Sequence, residues 1–207
     1  MKFLIIDDHA IVRKGLSQLL REEFPASEIV EAGDSAEVYD KVRAGIWDVI
    51  LLDISMPGRN GMDILKQLRA EGIKAPVLML SMHPEDQYAL RALKAGASGF
   101  LNKDAANDEL IAAVHKVLAG RKYISVALAE KLAEGATTGD RPAYETLSDR
   151  EMQVLQLLAS GQTVSEVADA ISLSVNTIST YRNRLLEKLN LNNNAELTRY
   201  ALDNKLV

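Results

Sequence analysis

Cysteine is absent from the chain, so no disulfide framework, thiolate nucleophile or zinc–thiolate centre can be built from it. Histidine is scarce. His9, His83 and His115 stand far apart, which argues against a histidine metal centre, and only His9 falls near a candidate site. Long apolar runs are missing too. The start, MKFLIIDDH, holds one lysine and a short apolar run that meets two aspartates at once, unlike a signal peptide. No stretch approaches the roughly 20 apolar residues of a membrane span. A soluble, cytoplasmic protein with no membrane partner is the expectation. Nor is there a basic excess: 24 Lys plus Arg face 29 Asp plus Glu, a net charge of −5. Any DNA contact must therefore be local. What remains is 47% hydrophobic and 26% charged, globular proportions that exclude a mainly disordered polymer. A length of 207 residues suits one large or two small domains.

Two periodicities alternate over residues 1–121. Short apolar runs fall at Phe3–Ile6, Ile29–Val30 (a weak one), Val49–Leu52, Val77–Leu80 and Gly99–Leu101. Between them lie helical stripes: Ile11, Leu16, Leu19 and Leu20; Ile64, Leu65 and Leu68; Leu110, Ile111, Val114, Val117 and Leu118. Strands alternating with helices predict a doubly wound α/β fold, a five-stranded parallel sheet with helices on both faces. The runs are nearly continuous, as strands buried on both sides require. In such a sheet the ligand crevice lies at the carboxyl ends of the strands.

From residue 122 to 143 the pattern loosens into a linker. Val126–Glu134 reads as one amphipathic helix, and the run from Gly135 to Pro142 is turn chemistry. Beyond it, residues 144–207 lose all strand character. Ser148 followed by Glu151 starts a helix with a capping box, and Met152, Leu155, Leu158 and Ala159 give it an apolar face. A turn at 160–162 leads to a short helix at Val164–Ile171, a second turn at 172–174, then helices at Val175–Leu189 and Ala195–Leu202. This is an all-α, four-helix unit containing a helix-turn-helix.

Chemistry concentrates in the first domain. Asp7 and Asp8 end the first strand and Asp53 ends the third, so all three meet the crevice edge. Converging carboxylates repel unless a cation joins them, and oxygen ligands at a shallow surface suit Mg²⁺. Ser81 ends the fourth strand and the fifth runs into Lys103. Carboxylates, a hydroxyl and a fixed ammonium suit a transferred phosphoryl group, with an aspartate as the attacking nucleophile. One such residue alone would read as a solvated rim; five at four strand ends do not.

Residues 1–121 resemble the receiver domain of a two-component response regulator, through LIIDDH, DVILLDISMPGRNGMDIL, VLMLSMH and ASGFLNKD in order and spacing. The resemblance implies a flavodoxin-like receiver in which Asp53 is the phospho-acceptor. Asp7 or Asp8, or both, would hold Mg²⁺ with Asp53 and the backbone carbonyl of Ser55. Ser81 and Lys103 would be the switch hydroxyl and the phosphate-pairing lysine. Phe100 takes the place of the switch aromatic, often Tyr in the family; Phe keeps the packing swing and lacks the phenol's hydrogen bond. Pro57 and Gly61 fit a tight loop after the nucleophile, Asn102–Lys103 is expected to be a cis peptide, and His83 is placed to tune acyl phosphate hydrolysis.

The second domain resembles the LuxR-type helix-turn-helix over LSDREMQVLQLLASGQTVSEVADAISLSVNTISTYRNRLLEKLNL, completed by NAELTRYAL. Together the two identify a response regulator of the NarL/FixJ type. Glu151 is the acidic residue that this family pairs with a basic group of its bundle. Val167, Ala168, Ile171, Leu173, Val175, Ile178, Leu185 and Leu189 are core. On the recognition helix, Asn176, Ser179, Thr180, Asn183 and Glu187 form the exposed face. Ser179, Thr180 and Asn183 hold the positions that reach base edges in relatives. Thr177, Tyr181, Arg182, Arg184 and Lys188 are assigned to phosphate or sugar. Six basic and seven acidic residues lie from Thr146 to Val207, yet three basic face one acidic within Val175–Leu189. The positive field is local to one helix. Ser165 stands where the family often has Lys, one phosphate contact fewer, so single copies should bind weakly.

The expected function is phosphorylation-dependent DNA binding and transcription regulation, not enzymatic turnover. A sensor histidine kinase is the phosphodonor, Mg²⁺ the cofactor, and double-stranded DNA with two-fold half-sites the target. Phosphorylation would control homodimerisation, exposure of the DNA-binding helix, or both. The fourth helix, fifth strand and fifth helix offer one dimer surface; the first and fifth helices offer another. Three rivals predict other features, one of them an atypical regulator that needs no phosphate, against which the complete pocket argues. A protein-interaction module would use the helical domain without DNA. An aspartyl-phosphate phosphatase would need a cap insertion and a second acid at position 55, which is Ser.

Overall fold

A computed structural model describes residues 1–56, 59–82, 85–126, 128–130 and 142–207. Pro57, His83 and residues 131–141, which include the end of the expected linker helix, lie outside the described residues. The chain divides into two compact units, Met1–Gly135 and Ala136–Val207. No helix among the described residues is long and apolar enough to cross a membrane.

The first unit alternates strand and helix: β1 (Lys2–Ile6), α1 (Ala10–Glu23), β2 (Glu28–Ala32), α2 (Ser35–Arg43), β3 (Val49–Asp53), α3 (Gly61–Ala70), β4 (Val77–Ser81), α4 (Glu85–Lys94), β5 (Gly99–Asn102) and α5 (Ala106–Leu118). All five strands pair in parallel in the order β2-β1-β3-β4-β5. The doubly wound sheet is the one the alternation predicts. Phe3, Ile5, Val49, Leu51, Leu78, Leu80 and Leu101 share one face and bury Leu16 and Leu20 of α1 with Leu110, Val114 and Val117 of α5. Alternate residues (Leu4, Ile6, Ile50, Leu52, Val77, Met79) are also fully buried and point to the opposite face. Right-handed crossovers place α2 to α4 there. β2 is an edge strand, mostly half-buried, which is why its apolar signal is weak.

Two details differ from expectation. Ile11 is 82% exposed, and Val12 packs on the core instead. Val12 precedes Leu16 by four residues and Ile11 by five, and only the first spacing shares a helix face. The stretch expected as linker from residue 122 begins as part of the first unit. Tyr123 N donates to Ser98 O at 2.9 Å and Tyr123 O accepts from Phe100 N at 3.2 Å, a bridge along the outer edge of β5. The Tyr123 hydroxyl donates to Glu109 at 2.8 Å. The Ser125 hydroxyl donates to Glu85 Oε2. An edge strand's free backbone groups are covered in this way.

The second unit opens with a 3₁₀ turn (Ala143–Thr146) and continues with α6 (Asp149–Ala159), α7 (Val164–Ala170), α8 (Val175–Leu189) and α9 (Asn194–Asp203). Each α-helix start carries a side-chain cap: Ser148 and Thr163 in full capping boxes with Glu151 and Glu166, then Ser174 and Asn193. Asn190 ends α8 in the left-handed region, φ 54°, a backbone that Asn tolerates well. Met152, Leu155, Val167, Ile178, Leu185, Leu197 and Leu206 fill the core. Val175, expected in that core, is 47% exposed; it opens α8, where the chain has not yet turned inward.

Candidate functional site

Strand order reverses between β1 and β3, and a doubly wound sheet opens its crevice at such a point, beyond the strand ends. Asp7 follows β1 and Asp53 ends β3, both essentially fully buried. Lys103 follows β5 and reaches across β4, with Nζ 2.7 Å from Asp7 Oδ2 and 2.9 Å from Asp53 Oδ2. Ser81, also buried, ends β4, and its carbonyl accepts from Lys103 N at 2.8 Å. The loop after β3 must pass close to the carboxylate. A Cβ at Gly61 would lie 2.0 Å from Asp53 O, so only glycine fits; its N–H donates to Ile54 O at 2.8 Å. Asn60 then caps α3 through Met62 N at 2.8 Å. Ser55 N donates to Asp53 Oδ1 at 3.2 Å.

The electrostatics follow from crowding. Burial raises the Asp53 pKa above its ordinary value, Lys103 opposes that shift and Asp7 adds to it. Burial alone would lower the Lys103 pKa, but Asp53 and Asp7 outweigh it and the net shift is upward. Lys103 therefore stays an ammonium, whereas burial and the neighbouring Asp7 work against ionisation of Asp53. His9 Nδ1 lies 2.8 Å from Asp8 Oδ1 and 3.3 Å from Asp7 Oδ1, beside the acids that it follows in sequence. Ligand atoms of Asp7, Asp8, His9 and Asp53 all lie within 4.8 Å of one another. Asp7 Oδ2, Asp8 Oδ1 and Asp53 Oδ2 are buried and are met by Lys103 and His9 alone among the ion pairs described. Three carboxylates against one ammonium, with ligand oxygens this close together, fit a hard divalent cation.

In the second unit, α8 turns Ile178, Leu185 and Leu189 inward. Asn176, Thr180, Asn183, Arg184, Glu187 and Lys188 are exposed, whereas Thr177, Ser179, Tyr181 and Arg182 are half-buried. Asn176, Thr177, Thr180, Tyr181 and Arg184 line a shallow groove of about 300 Å³ on this helix. Arg182 is held by Asn194 Oδ1 at 2.6 Å. Lys188 lies 2.7 Å from Glu151 Oε2, across the bundle.

Comparison with known proteins decides the family. Residues 3–115 match the response regulator receiver domain, and residues 145–201 match the bacterial regulatory proteins of the luxR family. The chain is a response regulator of the NarL/FixJ type. The response regulator UvrY of Escherichia coli K12 is 31% identical over 96% of this chain and 92% of its own. The oxygen regulatory protein NreC of Staphylococcus epidermidis is 32% identical, over 100% and 99%. Among solved structures, RcsB of Salmonella enterica serovar Typhimurium, bound to promoter rprA in the presence of the phosphomimetic BeF3⁻, superposes with a TM-score of 0.67. It shares 28% identity over 97% of this chain and 98% of that one.

Within this response regulator the structure brings together Asp7, Asp8, Asp53, Ser81 and Lys103 as the sequence pattern anticipates. Phe100 is 1% exposed, its ring already inside. The Asn102–Lys103 peptide is trans, with no cis bond among the described residues. Lys103 reaches both carboxylates without the roughly 3–4 kcal/mol that a non-proline cis bond costs. Lys188, expected among the phosphate contacts, is instead the basic partner of Glu151. Sequence reasoning missed Arg13, whose guanidinium donates to Asp7 O at 2.7 Å. Its cationic side chain one turn into α1 was the available signal.

Proposed function

We propose that Asp53 of this response regulator accepts a phosphoryl group from a sensor histidine kinase. An Asp53 carboxylate oxygen attacks phosphorus in line; the P–O bond forms as the P–N bond of the donor phosphohistidine breaks, and the leaving imidazole takes up a proton. Lys103 pairs with one oxygen of the transferred group and the Ser81 hydroxyl donates to another. Asp7, Asp8, Asp53 and the Ser55 carbonyl would hold Mg²⁺, which supplies charge neutralisation at the phosphoryl oxygens when bound. The receiver assists its own phosphorylation and dephosphorylation and turns over no separate substrate. The observation that carries this reading is Lys103 bridging Asp7 and Asp53 at the β1/β3 reversal.

Phosphorylation shifts the receiver toward a state in which Ser81 and Phe100 repack, favouring DNA-bound homodimers. On α8, Ser179, Thr180 and Asn183 face base edges in the major groove, Asn176 shares their exposed side, and Thr177, Tyr181, Arg182 and Arg184 hold phosphate or sugar. Lys188 leaves that set because Glu151 holds it. The DNA-bound RcsB neighbour supports this reading over a protein-interaction arm. A phosphodonor kinase and a DNA target both favour a cytoplasmic protein.

Intact-mass measurement after incubation with Mg²⁺ and acetyl phosphate tests the acceptor. Wild type should gain one phosphoryl group and Asp53→Asn none; labelling that persists in Asp53→Asn overturns the assignment. Selection from random-sequence DNA with the phosphorylated chain should enrich a two-fold site. Recovery of no preferred sequence overturns the DNA reading.

A further inference from the structure

We infer that Arg13 is a positioning residue for the acidic pocket: it clamps the peptide joining Asp7 to Asp8 and so sets where both carboxylates point toward a divalent cation. The inference rests on the reading of that pocket as a Mg²⁺ site. Arg13 is only 17% exposed along its side chain, and its guanidinium does three things at once. Nη1 donates to Asp7 O at 2.7 Å. Nε donates to Glu31 Oε2 at 3.2 Å. The guanidinium also lies against Gly33, where an added Cβ would stand 3.1 Å from Nη1, so the glycine leaves the room it occupies.

Glu31 is itself held. Its Oε1 accepts from Ser17 Oγ at 2.9 Å, and its backbone carbonyl accepts from Lys41 Nζ at 2.6 Å. Arg13 thus ties the end of β1 to β2 through an anchored carboxylate. The Asp7 carbonyl belongs to the planar unit that leads into Asp8, so fixing it fixes the direction in which Asp8 leaves. The rest of Asp7 is engaged as well: its N–H donates to Ala32 O at 3.1 Å, Oδ1 accepts from His9 N at 2.8 Å, and Oδ2 faces Lys103. Arg13 holds the one remaining backbone atom.

Charge alone predicts the opposite effect from positioning. A guanidinium beside a cation site repels the cation, so on charge alone its loss would tighten Mg²⁺ binding. If Arg13 instead orients the carboxylates, its loss weakens binding, and Arg13→Lys fails as well, because Nε and Nη1 are separate donors of one rigid planar fork and a single ammonium on a flexible stem does not reproduce that geometry.

Titration calorimetry of the full chain with MgCl₂ separates these cases. Arg13→Gln and Arg13→Lys should each weaken Mg²⁺ binding about tenfold, the lower end of what outer-shell partners cost, and Glu31→Gln less. Thermal unfolding without Mg²⁺, run in parallel, isolates a purely structural role, which would lower stability and leave the affinity of the folded protein unchanged. Tighter binding in Arg13→Gln with wild-type affinity in Arg13→Lys would overturn the inference, as would unchanged affinity in both. If Arg13→Gln does not fold, Arg13→Lys and Glu31→Gln carry the same test. Wild type that binds no Mg²⁺ would overturn the pocket reading, and the inference with it, a failure distinct from that of the variants.

Discussion

Glu151 gathers three partners on one oxygen: Ser148 N at 2.8 Å, Ser148 Oγ at 3.0 Å and Lys188 Nζ at 2.7 Å. Burial pushes its pKa up, but the hydrogen bonds and the Lys188 charge outweigh that and the net shift is downward from 4.5. A carboxylate whose folded pKa is lowered contributes stability that is complete above the unfolded value and lost as pH falls through the folded one. Lys188→Met should therefore destabilise the helical unit at pH 7 by about 1–3 kcal/mol, below the full cost of breaking a buried pair because the ammonium is 41% exposed and solvent screens it. The difference from wild type should shrink once the pH drops below 4.5. Urea unfolding followed by far-UV circular dichroism at both pH values checks this, and an equal loss at each would remove the ion pair as its source. The same pair shows what sequence can and cannot say about single residues. Asp7, Asp53, Ser81 and Lys103 were legible because each stands at a strand's carboxyl end, and the sheet rule brings those ends together. Lys188 was not, because its partner is 37 residues away and spacing within one helix does not name it. Arg13 was hidden for another reason: one of its partners is a backbone carbonyl, which no residue type marks.

Helices with strong start signals were found nearly to the residue. Ser148, Thr163 and Ser174 each accept an N–H from three residues on, and such caps fix where a helix begins whatever it later packs against. Ile11 was misread because a stripe read only from apolar content can slip by one residue. Half-buried β2 and the Tyr123 bridge on β5 gave weak signals for a related reason: pairing at a sheet edge depends on backbone groups rather than side-chain type. Ser174 offers a test at this scale. Its hydroxyl accepts from Thr177 N at 3.1 Å and meets Thr177 Oγ1 at 2.7 Å, holding the first turn of the recognition helix, which presents Asn176 and Thr180. Ser174→Ala should cost about 1 kcal/mol of stability in the helical unit and weaken DNA binding with it. Trp47, the single tryptophan, is buried in the receiver and donates to Val42 O at 3.0 Å. Its fluorescence transition in urea should stay in place while the far-UV transition moves to lower denaturant. A shift in the tryptophan signal alone would mean that the cap does not act where α8 begins.

At the scale of the whole molecule, charge decides how the protein must meet DNA. The chain carries a net −5, and residues 146–207 carry seven acidic groups against six basic ones, so nothing holds a single helical unit near DNA at long range. With Lys188 tied to Glu151, the positive charge left on α8 is that of Arg182 and Arg184. Two neutralised phosphates give a slope of log K against log salt of only about −2 for one unit. Such a module dissociates readily at physiological salt, and specific binding needs a second unit on a neighbouring half-site. Coupling two units doubles the counterion release and makes the second contact effectively intramolecular, which raises avidity without any new contact. The proposed switch by pairing then has a salt signature. On a two-fold site from the random-DNA selection, protein treated with acetyl phosphate should show a slope near −4, twice that on a single half-site. The untreated protein and Asp53→Asn should bind the full site little better than the half-site. Arg184→Ala should flatten the full-site slope by about 2, one phosphate per copy, whereas Lys188→Met, measured where it stays folded, should leave it unchanged. Equal affinity and equal slope on half and full sites would mean that one copy suffices, and phosphorylation would then have to act by freeing the recognition helix of a single chain.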